Sequence, residues 1–295
     1  MKTAQILPFT TSKVATLSSS AMLVELSISL WSGFKLDKKV STEIDIVNST
    51  STRAGNYNKK LFAGDPALPA IQKVATMIRE YHNNVTSPWS DKGPRLLPTA
   101  LFLDYKTEIA RLERVYLKEV RNFTDDYYNK VRAASLALGD LFDRDEYPDI
   151  ETVQNRFGIR VRYTPLPEAG DFRLDVGNQG LTELREQYEA LYQENIINAM
   201  DSAWQRLYET LDRLSRGLRV NEDGKKGRLF GSVIEDAVEL CNLLTPLNIT
   251  NDTRLEAMRQ SLEQALLGVE AEDLRKSDYA RVLLKSKVDS ILDKF

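Results

Sequence analysis

Between residues 99 and 143, apolar side chains recur with a regularity that leaves the backbone little choice. Leu101, Tyr105, Ile109, Leu112, Tyr116, Val120, Phe123, Tyr127, Val131, Ala134, Leu138 and Leu141 fall at spacings that mostly repeat 4, 4, 3. The average lies at about 3.67 residues per turn, so the stripe stays on one face of an almost straight helix without supercoiling. A helix of roughly 40 residues is about 60 Å long. A rod of that length needs apolar cover along its whole face.

The chain offers a second stripe at 180–218. Leu181, Leu184, Tyr188, Leu191, Ala199, Leu207, Leu211, Leu214 and Leu218 form it, and Tyr192, Ile196, Met200 and Trp204 broaden it midway. Glu209 with Arg213 and Asp212 with Arg216 are i,i+4 pairs in the favourable order on its flank. The expected architecture is therefore mainly α, with a long antiparallel helical hairpin made from these two segments. Between them, Ile159, Val161 and Tyr163 alternate with Arg160 and Arg162, and Phe172, Leu174 and Val176 alternate with Arg173 and Asp175. This reads as a small β-hairpin at the tip of the rods, which a strand at 22–31 extends to a three-stranded element.

Three stretches follow from these readings. Residues 1–64 hold the N-terminal strand and a Ser/Thr/Asn-rich wrapping segment, 65–220 the helical hairpin with its β-tip, and 221–295 a C-terminal helical group, all in one continuous domain. Helix 65–82 begins at Asp65-Pro66, with Asp as cap and Pro in the first turn. The C-terminal helices are expected near 228–244, 252–267 and 272–294.

Composition narrows the chemistry. Lys plus Arg number 40 against 43 Asp plus Glu, for a net charge of −3, so nothing global draws the chain to nucleic acid or anionic lipid. Cys241 and His82 are each the sole residue of their type, which excludes an intrachain disulfide, His/Cys zinc sites and most nucleophile–base pairs. The chain is expected to be cytoplasmic, with no transmembrane helix and a poor match to a signal peptide. The Asn-x-Ser/Thr triplets at Asn48, Asn84, Asn122, Asn248 and Asn251 are read as chance.

Each candidate site has a plainer explanation beside it. His82 ends a helix, where an imidazole could serve as base but where a positive charge also suits the helix dipole. Asp140, Asp143, Asp145, Glu146 and Asp149 gather in ten residues, yet lack the calcium-loop pattern and read as a solvated acidic turn. Lys225, Lys226 and Arg228 among glycines suggest a phosphate-binding loop, but the order of a P-loop is absent. Arg160, Arg162 and Arg173, with Tyr163 and Phe172 nearby, would suit a ribbon for nucleic acid, and exposed charge on a small sheet explains them equally well. In "NNVTSPWSDKGPRLLP", residues 83–98, Pro88 and Pro94 fix φ, Gly93 permits a positive φ, and Trp89 supplies an apolar anchor. These residues read as a rigid corner pinned by Trp89, with Arg95 stapling it to a carboxylate or carbonyl.

The same chain resembles a known family. "VELSISLWSGFKLDKK", "RAGNYNKKLF", "SPWSDKGPRLLP", "LGDLFDRDEYPD" and "PLPEAGDFRLDV", in this order, are similar to uncharacterised helical proteins, a domain of unknown function, encoded by tailed bacteriophages and integrative mobile elements. The resemblance spans about residues 22 to 220. It implies a bacterial host cytoplasm and gene neighbours encoding a MoxR-like AAA+ ATPase and a von Willebrand A-type protein. It brings no catalytic residues, cofactor or metal ligands. The expectation is thus a non-enzymatic scaffold or adaptor that associates with itself or with such a partner. The alternatives are a nucleic-acid accessory protein acting through Arg160, Arg162, Arg173, Lys225, Lys226 and Arg228, and a membrane-active helical protein whose polar tip argues against easy insertion.

Overall fold

The computed structural model describes residues 19–90, 93–166, 178–220, 226–227 and 231–295. In chain order the elements are β1 (Ala21–Ser29), β2 (Phe34–Asp37), α1 (Lys38–Val47), β3 (Tyr57–Lys60), α2 (Ala67–Val85), β4 (Ser87–Pro88) and β5 (Arg95–Pro98). They continue as α3 (Phe102–Asp125), α4 (Tyr127–Leu138), α5 (Ile150–Gln154), β6 (Gly158–Pro165) and α6 (Asn178–Leu218). The chain closes with α7 (Gly231–Leu247), α8 (Thr253–Leu266), α9 (Ala271–Lys276) and α10 (Asp278–Leu292). The protein is mainly helical, with a four-stranded sheet in the order β4-β5-β1-β6 and a two-stranded ribbon of β2 and β3. The expected strand at 22–31 does neighbour the strand built from 159–163. Its other neighbour, β5, comes from the corner sequence, where no strand was expected.

Two compact units share the chain. One comprises 1–25, 83–105 and 162–295, and the other 26–82 and 106–161. In the first unit, β5 runs antiparallel to both β1 and β4, with Leu23 opposite Leu96 and Pro88 opposite Arg95. Pro88 is tolerated because β4 is the edge strand, where a missing N–H leaves no ladder bond unmade. The upper part of α6 covers this sheet: Tyr192, Ile196 and Ala199 pack with Ala21, Leu23, Trp89, Leu96 and Leu166. Further along, Met200, Ala203, Leu207, Leu211, Leu214 and Leu218 are buried against α7, α8 and α10, chiefly on Ile234, Cys241, Leu244, Leu262, Leu284 and Val288. From Tyr192 onward the buried face of α6 is the expected one, with Ala199, Leu207, Leu211, Leu214 and Leu218 buried, whereas Leu191 stands exposed. Of the two expected ion pairs on α6, Asp212–Arg216 forms at 2.6 Å, whereas Glu209 accepts from Gln205 and Arg213 turns to Asp236 at 3.7 Å.

In the second unit the stripe of 99–143 is carried by two helices, which corrects the expectation of one unbroken rod. Asp126 leaves helical geometry with φ −105° and ψ 13°. It follows Thr124 and Asp125, side chains that favour the helical state weakly because they compete for local backbone groups. Tyr127 nevertheless lies four positions after Phe123, so the buried face carries on across the break. That face meets aromatic rings. Phe62 stands edge-on to Trp31, Phe123 and Tyr147 at centroid distances of 5.7, 5.3 and 5.4 Å, and Phe157 lies 6.1 Å from Phe123. The polar ends of the rings are satisfied by backbone: Tyr116 donates to Ser29 O at 2.7 Å, Tyr127 to Pro148 O at 2.8 Å and Tyr147 to Leu61 O at 2.6 Å.

Other boundaries shift for local reasons. The wrapping segment contains α1 and the β2–β3 ribbon; Asp37 caps α1 by accepting from Val40 N, and Ser41 Oγ accepts from Tyr57 N to hold the return strand. Helix 65–82 begins two residues later, where Asp65 Oδ1 accepts from Ala67 N, and runs on to Val85. The last expected helix is divided at Ser277, whose hydroxyl caps α10 through Ala280 N. Of the expected β-hairpin only β6 falls among the described residues; Phe172, Arg173, Leu174, Asp175 and Val176 lie outside them.

Candidate functional site

The corner has the strongest local design. Trp89 is buried, edge-on to Tyr192 at 5.3 Å, in the cluster beneath the sheet. Pro94 precedes β5, and a side chain at Gly93 would meet Ser90 Oγ at 2.2 Å. Arg95 staples the loop as expected, and to oxygens other than carboxylates: its Nε donates to Thr86 Oγ1 at 2.7 Å and its Nη2 to Thr86 O at 3.1 Å.

A second arginine, which sequence reading did not single out, joins it there. Arg206 on α6 donates through Nη1 to Asn84 O at 2.6 Å and through Nη2 to Asn83 O at 2.8 Å and Thr86 O at 2.6 Å. Burial, and then the charge of Arg95, push the Arg206 guanidinium down to about 10; burial also lowers Arg95. Nothing in the local sequence of α6 marks Arg206, because its acceptors are backbone carbonyls that composition does not display.

The residues proposed for nucleic acid are only partly brought to view. Arg160 and Arg162 are exposed on β6. Tyr163 turns its ring to Phe102 at 5.3 Å and Tyr105 at 6.2 Å, a packing role in place of base stacking. Lys226 pairs with Asp278 at 2.6 Å and donates to Arg275 O at 3.3 Å, so its charge is already engaged. Arg173, Lys225 and Arg228 lie outside the described residues. Beside Lys226, Gly227 N donates to Arg219 O at 2.7 Å, and a Cβ on Gly227 would sit 2.6 Å from Arg216 O. The Gly227 amide is thus spent on the end of α6, which a phosphate cradle would need to keep free.

The acidic turn resolves into structural roles. Asp143 caps a 3₁₀ turn at Asp145 N, Asp149 caps α5 at Thr152 N, and Glu146 pairs with Lys59 at 2.8 Å. Among the described residues no group of three or more His, Cys, Asp or Glu is placed to hold a metal ion. His82 is buried in the last turn of α2, short of its end. Cys241 is buried, and desolvation pushes its thiol up to about 11, far from a reactive thiolate. A cavity of about 430 Å³ opens beside α7, floored by Ile234, Val238 and Val269 and rimmed by Glu235, Glu239 and Glu270. No described helix is long and apolar enough to cross a membrane.

Comparison with models of known protein families, with curated proteins and with solved structures gives no match to this chain.

Proposed function

We propose that the chain is a non-enzymatic scaffold or adaptor that works by binding another protein. The observation that carries this reading is the outer face of α10. Arg281, Leu284, Val288 and Ile291 bury the inner face, while Tyr279, Val282 and Leu283, one turn of the opposite side, are 78%, 56% and 47% exposed. Apolar side chains at i, i+3 and i+4 on solvent are the pattern of a helix that meets a partner. The resemblance to proteins of phages and mobile elements supplies the partner class, a MoxR-like AAA+ ATPase or a von Willebrand A-type protein from the same gene neighbourhood, in a bacterial cytoplasm.

The test mixes the purified chain with the ATPase and the von Willebrand A-type protein encoded beside its gene and follows complex formation by size exclusion with light scattering. Tyr279→Ser with Val282→Ser and Leu283→Ser should abolish the complex without lowering the thermal midpoint. A chain that stays monomeric with either protein present counts against the reading. The second reading, a nucleic-acid accessory protein, draws on exposed Arg160 and Arg162. It predicts DNA or RNA affinity that falls steeply with salt and is lost in an Arg160→Ala, Arg162→Ala, Arg173→Ala variant.

A further inference from the structure

Helix α7 carries two stripes with different duties. Val233, Ala237, Cys241 and Leu244 are buried and belong to the helical core of their unit. The neighbouring stripe, which runs from Gly231 through Ile234, Val238 and Asn242, lines the open cavity of about 430 Å³. At 1.5 Å per residue it extends for about 16 Å, or about three turns of helix. Its floor is apolar, made of Ile234 and Val238 from α7 and Val269 from the turn between α8 and α9. Val238, in the middle of the groove, is 45% exposed. The opposite wall is fixed by its own backbone. Val269 N donates to Leu266 O at 3.1 Å, and Asp273 N and Leu274 N both donate to Glu270 O, at 3.1 and 3.3 Å. A groove of this volume with such a wall falls in the range of specific ligand sites, about 300–1,000 Å³.

Charge decides what suits that floor. Glu235 and Glu239 stand one turn apart on α7, and Glu270 borders the groove from the turn between α8 and α9, so three carboxylates rim the apolar strip. Like charges at i,i+4 oppose a helix, and Glu239 stands beyond the first turn, where the helix dipole would reward an acid. Asp236, the acid beside Glu235, turns away to Arg213 on α6 at 3.7 Å. Arg275 reaches only the Gly231 end, its Nη2 3.6 Å from the place of a Cβ on that glycine. Gly231 is itself about 10 Å along the helix from Val238. An apolar floor alone would suit any aliphatic surface. The acidic rim disfavours nucleic acid, anionic lipid and acidic peptides. It favours lysine and arginine, whose methylene stems follow apolar surface while their heads meet carboxylates.

We propose that the groove on α7 takes a basic amphipathic helix of another protein, with aliphatic side chains on Ile234, Val238 and Val269 and lysine or arginine on Glu235, Glu239 and Glu270. The stripe is long enough for about three turns of such a helix, whose apolar residues recur at i, i+3 or i+4 and i+7. The site stands independently of the protein-binding reading of α10.

The probe is a fluorescein-labelled peptide of leucine and lysine set at helical period, and its anisotropy is followed as the full-length chain is added. Binding should saturate and should shift the ¹³C-methyl resonances of Ile234, Val238 and Val269. A peptide with serine in place of leucine keeps the charge but leaves the floor unused, and should bind about tenfold more weakly. Glu235→Lys with Glu239→Lys should weaken the leucine–lysine peptide by about tenfold and take up instead a peptide of leucine and glutamate. That gain also shows the variant to be folded. Equal affinity for the leucine and serine peptides, or an affinity that Glu235→Lys with Glu239→Lys leaves unaltered, overturns the proposal. So does binding that is lost in Tyr279→Ser with Val282→Ser and Leu283→Ser but kept in the glutamate variant; that result assigns the peptide to α10 and leaves the adaptor reading standing. A wild-type dimer in light scattering that Val238→Ser dissociates assigns the groove to a second copy of the chain, and overturns the proposal as well.

Discussion

Replacing Lys59 with Met tests how the second unit holds together. The Lys59 ammonium is 5% exposed; it donates to Leu141 O at 2.7 Å and pairs with Glu146 at 2.8 Å and Asp37 at 3.2 Å. Burial alone would lower its affinity for a proton, but the bonds to Glu146 and Asp37 more than offset this and hold Lys59 above its ordinary value. Asp37 is held below the usual carboxylate range, first by Val40 N and also by Lys59. Met fills nearly the same volume but leaves a buried carboxylate and a carbonyl without their cation. Breaking a buried pair from one side costs about 3 to 5 kcal/mol, and the partial exposure of the two acids places Lys59→Met near about 3 kcal/mol. Chemical denaturation monitored by tryptophan fluorescence would measure it at pH 7. The sign with pH follows from linkage: a depressed carboxylate contributes stability above its unfolded value, near 3.8 for Asp37, and loses it as pH falls through the lower folded value. In Lys59→Met, Asp37 loses the part of this gain that Lys59 supplies, so the gap to wild type should narrow as pH falls below 3.8. Adding Glu146→Gln to Lys59→Met should recover a large part of the loss. A Lys59→Met protein as stable as wild type at pH 7, or a gap that widens on acidification, would refute the account.

Trp89→Ala should cost about 3 kcal/mol or more, the large-to-small value for a buried indole with an edge-on aromatic partner, read from the denaturation midpoint at constant slope. Desolvation pushes Tyr127 and Tyr147 up to about 12. An acid raised in the folded state contributes stability that is full below its unfolded value near 10 and is lost as pH rises toward 12. Ultraviolet titration should therefore show Tyr127 and Tyr147 among the late-ionising phenols, beside Tyr116 and Tyr163, which burial also raises, and Tyr147→Phe should remove one of them. Asp252 caps α8 through Arg254 N at 2.8 Å and accepts from Trp204 Nε1 at 3.1 Å, so Asp252→Ala should cost about 2 kcal/mol in thermal or urea unfolding, more than a cap alone.

What the sequence announces here is periodicity, and what it conceals is backbone chemistry. The alternation through Leu26, Ile28 and Leu30 marks β1, and the stripe from Tyr105 to Ala134 marks a buried face that survives the break at Asp126. Helix–helix partnership was harder to read, because Leu207 or Leu214 is equally suited to a long rod and to the short helices α7, α8 and α10 that it meets. β5 was missed because "RLLP" is short and ends in Pro, and its strand identity comes from pairing with β1. Trp89 and Arg95 were legible as anchor and staple from their place between two prolines. Arg206, Arg281 and Lys59 were not: their partners are carbonyls or acids far along the chain, and each looks locally like one more surface charge.

The order in which the chain is made gives the two units unequal histories. The unit of 26–82 and 106–161 has all its residues once position 161 has been added, whereas the other requires α6 to α10. Local, early-complete regions fold first during synthesis, at about 5–20 residues per second. The aromatic cluster around Phe62 can therefore close while Trp89 is still exposed, awaiting Tyr192 and Ile196. For several seconds of each round of translation, the short edge strand β4 and the indole behind it are presented uncovered. The proline in that strand has no N–H to offer a second nascent chain at the open sheet edge.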